Sequence, residues 1–169
     1  VMKTLSRALT VLALLLGAGA SSAGERDEPG ARPHAHERYL YVATIAQSAQ
    51  DPDFIAVVGA DPRHRDFGQI VDRIDMPNVG DELHHIGYSF DQKRLIVPGL
   101  FSNRIHVFGI HGNGRRLKLD AVNEELVAAS GYVVPHSVIA TVPGKALVTM
   151  IGAASGDTRP GGIVEIDDR

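Results

Sequence analysis

The chain has 169 residues, 44% of them hydrophobic and 22% charged, and its 17 basic and 20 acidic side chains leave a formal charge of −3. That balance excludes wholesale disorder and a polytopic membrane protein, and it offers no basic excess for a nucleic-acid backbone. Cysteine is absent, which removes disulfides, zinc–thiolate sites and thiol nucleophiles.

The chain opens with Lys3 and Arg7, then an apolar run from Ala8 to Ala20, then the small residues Ser21, Ser22 and Ala23. A basic start, a short apolar core and a small-residue cleavage site predict a secretory signal peptide over residues 1–23. The core is shorter than the roughly 20 apolar residues that span a bilayer. Cleavage would give a periplasmic or secreted protein with no remaining membrane attachment. Residues 24–37, rich in Pro, Gly, His and charge, have the composition of a disordered linker.

From residue 38 onward the apolar runs are short, β-branched and bounded by Gly, Pro, Asp or Asn. They predict strands at 39–44, 54–60, 69–74, 84–90, 95–100, 104–110, 117–122, 133–141, 146–152 and 161–166. Only residues 123–130 have helical propensity, and they allow two turns at most. The glycines and asparagine within 109–114 predict a hairpin turn with positive φ. The fold class is therefore all-β and antiparallel.

An internal repeat narrows the architecture. A shift of 52 residues places His84 on His136, Ile86 on Val138, Lys93 on Lys145 and Leu95 on Leu147. Each copy reads as a strand opening with His, a turn with Lys, and an apolar strand. Four strands in a unit of about 40–50 residues is the pattern of a β-propeller blade. Residues 38–169 supply three, four and three strands, about two and a half four-stranded blades. A closed ring needs at least four blades, so the stretch is expected to be part of a longer propeller.

The segment Ile74-Asp-Met-Pro-Asn-Val-Gly-Asp-Glu-Leu-His-His-Ile-Gly-Tyr88 closely resembles a block of the selenium-binding protein family, whose members include methanethiol oxidases. Two further blocks agree in order and spacing: the run from Leu95 to Val107, and Pro135-His136-Ser137 with the later Gly161-Gly162-Ile163-Val164. The resemblance spans about residues 39–168. It implies a seven-bladed propeller of which this is the first third, and copper-dependent oxidation of a small thiol, methanethiol. The reaction consumes oxygen and water and yields formaldehyde, hydrogen sulfide and hydrogen peroxide. Mammalian members carry cysteines where this chain has Gly68 and Ser137, so selenium held through a thiol is excluded here.

The residues themselves point to His84, His85 and His136 as metal ligands, since the repeat sets a histidine at the start of successive innermost strands. Imidazole suits copper, which heads the divalent affinity series at nitrogen sites. Side chains alternate along a strand, so His84 and His136 are expected to share a cavity while His85 points to the opposite face. Carboxylates commonly orient such histidines, and Asp81 and Glu82 are the candidates. Two other readings are open: a non-catalytic propeller that binds a ligand or partner, and an inactive truncated product.

Overall fold

Among the described residues the apolar runs bury one or both of their faces, and which faces are buried decides how the strands stack. A computed structural model describes residues 37–155 and 160–169; the expected signal peptide and nearly all of the expected linker lie outside the described residues. The elements in chain order are β1 (Tyr39–Thr44), β2 (Phe54–Gly59), β3 (Ile70–Asp75), β4 (Gly87–Tyr88), β5 (Arg94–Pro98), β6 (Ile105–His111) and β7 (Arg116–Asn123), followed by α1 (Leu126–Ser130), β8 (Tyr132–Val142), β9 (Lys145–Ala153) and β10 (Pro160–Asp167). They form three antiparallel sheets, β1-β2-β3, β4-β5-β6-β7 and β8-β9-β10, each made from consecutive strands. Among the described residues no helix is long and apolar enough to cross a membrane.

The sheets stack as propeller blades, with the four-stranded sheet in the middle. Ile55, Val57, Leu95, Val97 and Phe108 pack between the first and second sheets. Ile96, Ile105, Ala146, Val148 and Ile166 pack between the second and third. In β5, Leu95 and Val97 face one core and Ile96 faces the other. This explains why Leu95-Ile96-Val97 reads as an unbroken apolar run rather than an alternating one: all three are no more than 1% exposed. The β6–β7 hairpin turns on Gly112, Asn113 and Gly114, all with positive φ, as the sequence predicts.

The outward faces of the two end sheets are also apolar. Tyr39 and Tyr41 pack inward, so their neighbours Leu40 and Val42 point away; Leu40 is 56% exposed. On the third sheet Ile139, Ile151 and Ile163 face outward, each more than half exposed. A purified segment of residues 37–169 is therefore expected to self-associate through these faces. Light scattering after size exclusion checks this, and a monodisperse monomer would show that the faces are not adhesive.

The largest departure from the expected strands is β4. A strand over 84–90 is predicted, but only Gly87 and Tyr88 are paired along it. Upstream, Leu83 forms an isolated bridge with Gly99, while Gly87 pairs with Ile96. Four residue steps on this segment thus face three on β5, and the surplus residue bulges out at 84–86. Glu82, with φ of 52°, turns the chain into this bulge.

Candidate metal centre

The second histidine segment is bulged at the equivalent place. In β8, Pro135 pairs with Met150 and Val138 with Val148, three steps against two, so His136 and Ser137 bulge from the ladder. Bulges re-aim side chains, and here they overturn the alternation argument. His84 and His85 do not point to opposite faces: both join His136. The ring centroids are 4.7 Å apart for His84 and His85, 4.6 Å for His84 and His136, and 4.3 Å for His85 and His136. One nitrogen from each ring lies within 4.8 Å of the others. The cluster sits at the surface, with His85 exposed and the other two half-buried.

Four devices hold the two bulges against each other. Gly87 permits β4 to approach β8: a Cβ there would stand 2.7 Å from the Val138 carbonyl oxygen and 2.9 Å from Val138 Cβ. Asp53, buried on the neighbouring sheet, accepts hydrogen bonds from Leu83 N–H at 3.1 Å and Ala46 N–H at 2.8 Å. His84 N–H donates to the Pro98 carbonyl at 3.0 Å, and Leu100 N–H to the Glu82 carbonyl at 3.0 Å. On the β8 side, Val134 has φ of 63°, a conformation costly for a β-branched residue. Its N–H donates to Asn103 Oδ1 at 2.6 Å, which pins the strained residue next to Pro135.

Gly87→Ala is expected to push β8 back and separate His136 from His84 and His85. Because the atom in the way is backbone, side-chain rotation cannot relieve it. Copper affinity should fall about 10–100-fold, the range for losing the supports around ligating histidines, with a smaller change in melting temperature. Isothermal titration with copper alongside thermal unfolding separates the two effects.

The carboxylates do not stand where the sequence suggests. Asp81 is fully buried and faces Arg104, whose Nη1 lies 3.2 Å from Asp81 Oδ1, and His106, whose Nε2 lies 3.5 Å from Oδ2. Burial holds the His106 imidazole below the ordinary histidine range, against the opposing pull of Asp81. Asp81 therefore pairs with Arg104 and His106 behind the loop, and Glu82 accepts from Leu100 N–H through its backbone carbonyl. The residue that does touch the histidines is Ser137: its Oγ lies 3.1 Å from His85 Nδ1 and 2.9 Å from His136 Nδ1. Partial burial, with the neighbouring His85 and His84, holds the His136 imidazole below its usual pKa. That favours the neutral, metal-binding form.

The donor set fits a first-row transition metal. Three imidazoles converge, and imidazole ligation suits copper, zinc, iron and nickel. Two donors on one tetrahedral ion with bonds of about 2.0–2.1 Å stand roughly 3.3 Å apart. The ligand nitrogens, within 4.8 Å of one another, stand near that spacing.

Comparison with known proteins places these features in a family context. The family described as 56kDa selenium binding protein matches residues 28–169. Selenium-binding protein 2 of Arabidopsis thaliana is 30% identical, over 94% of this chain and 37% of that protein. A methanethiol oxidase of Danio rerio is 32% identical, over 78% of this chain and 32% of that protein. An X-ray structure of a hypothetical selenium-binding protein from Sulfolobus tokodaii superposes with a TM-score of 0.71 at 32% identity, covering 78% of this chain and 32% of that one. The chain thus spans about a third of the length of the relatives it matches.

Proposed function

The chain belongs to the 56 kDa selenium-binding protein family, and from that premise we propose that the full-length protein is a copper-dependent methanethiol oxidase. The reaction converts methanethiol, oxygen and water to formaldehyde, hydrogen sulfide and hydrogen peroxide. The observation that carries this reading is the convergence of His84, His85 and His136 from two blades. Relatives named methanethiol oxidase supply the substrate class.

His84, His85 and His136 would hold the copper, with further ligands free to come from elsewhere in the protein. Copper supplies one-electron exchange with oxygen and affinity for a thiolate. The remaining work falls to the chain. The β5 ladder and Asp53 fix the loop bearing His84 and His85, and Ser137 ties two of the rings. The half-burial of His84 and His136 leaves one side of the cluster open to a small substrate. Selenium carried on a thiol of this chain has no support, because cysteine is absent.

The test uses purified full-length protein stripped of metal and reloaded with copper. Loaded protein should retain one copper after dialysis and form formaldehyde and peroxide from methanethiol in equal amounts. Equal turnover by the stripped protein would overturn the reading. Export rests on the N-terminal sequence alone: a mature start near Gly24 in a periplasmic or secreted fraction is expected, and N-terminal sequencing that finds residues 1–23 retained would refute it.

A further inference from the structure

The Ser137 hydroxyl is shared by two of the three rings. Its Oγ contacts Nδ1 of both His85 and His136. Its own place is fixed by β9, since Ser137 N–H donates to Thr149 Oγ1 at 3.0 Å and Thr149 Oγ1–H reaches back to the Ser137 carbonyl at 3.5 Å. A serine hydroxyl has two lone pairs and a single proton. It can therefore accept from both Nδ1–H groups, or donate to one ring and accept from the other. In the second case one neutral imidazole carries its proton on Nε2, and that nitrogen is lost to a metal. In the first, both rings are Nδ1–H tautomers and both Nε2 lone pairs are free. Which nitrogen of a histidine binds metal is set by the hydrogen bond its other nitrogen makes.

We infer that Ser137 is a positioning residue that accepts from His85 and His136 together, locking both as Nδ1–H tautomers so that each offers Nε2 to one metal ion. The inference rests on the proposed copper site but makes a claim about the metal-free protein as well. Two consequences distinguish it from simple packing. The tautomers should be set before metal arrives, and a threonine should replace the serine where an alanine cannot.

The test uses full-length protein with ¹⁵N-labelled histidine, as wild type, Ser137→Ala and Ser137→Thr. Long-range ¹H–¹⁵N spectra of the metal-free wild type above neutral pH should show His85 and His136 as Nδ1–H tautomers. Ser137→Ala should shift both toward the Nε2–H form that free histidine prefers, and copper titration should show affinity falling about 10–100-fold. Ser137→Thr should restore both readouts. Nε2–H tautomers in the wild type would overturn the inference, as would Ser137→Ala with unchanged tautomers. If wild type shows the Nδ1–H tautomers but binds no copper, the copper reading fails and the role of Ser137 in the free protein stands.

Discussion

His136→Ala in the full-length protein is expected to remove bound copper and methanethiol turnover together. Losing an outer support of a ligating histidine costs about 10–100-fold in metal affinity, so losing the imidazole should cost at least the upper end of that range. The remaining pair, His84 and His85, is adjacent in sequence with ring centroids 4.7 Å apart. Two imidazoles on one loop then remain of the three that converge here. His84→Ala should behave alike, for it breaks the same triangle from the other blade. His64→Ala is the control: that ring lies at the surface beside Arg38, 3.1 Å away, and Asp66. Copper by mass spectrometry and peroxide formation are the measurements. Stoichiometric copper and normal turnover in both His136→Ala and His84→Ala would make these rings packing groups.

Arg104→Met should be the most damaging change away from the histidines. Arg104 bridges Asp81 at 3.2 Å and Glu124 at 3.0 Å, and Asp81 is fully buried. Removing the guanidinium leaves a carboxylate inside the protein with only His106 nearby. Stranding a buried carboxylate in this way costs up to about 3–5 kcal/mol. The loop from Asp81 to Ile86 should loosen as well, since Phe101 N–H donates to the Asp81 carbonyl at 3.2 Å, and copper affinity should drop with it. Replacing both partners, Arg104→Met with Asp81→Leu, should recover much of the stability, because an apolar pair leaves no stranded charge. An unfolding free energy from urea titration changed by less than about 0.5 kcal/mol, the range of ordinary surface substitutions, would show that the pair is incidental.

The blades were legible in the sequence because short β-branched apolar runs are separated by Gly, Pro, Asp and Asn. The runs at Leu95–Val97 and Tyr39–Thr44 are both strands. The 52-residue repeat brought His84 and His136 to the same register before any coordinates. What the sequence concealed is the bulge at each histidine. Period-two alternation places His84 and His85 on opposite faces, and one surplus residue per strand is invisible to a pattern of residue types. The carboxylates misled for a related reason. Asp81 is close to His84 in sequence, yet a carboxylate with no exposure takes the nearest strong donor, Arg104, which lies 23 residues on. Ser137 carried a weak signal, since a hydroxyl beside a candidate ligand does not by itself mark a contact with it. Asp53 carried none, because its two amide partners come from separate segments.

Every sheet is built from strands consecutive in the chain, and this has a kinetic consequence. Contacts close in sequence form quickly because little loop entropy opposes them. Each blade can hairpin into shape as soon as its own residues are available, without waiting for the next. The histidine cluster cannot, since its members belong to different sheets, and their rings meet only when the second and third sheets dock. Metal capture at the proposed site would thus be a late event that reports docking and rewards it. At a free metal concentration of a hundred times Kd, the docked state gains about 2.7 kcal/mol. Metal added during refolding should leave the early formation of strands unchanged and slow only the separation of the two blades afterward.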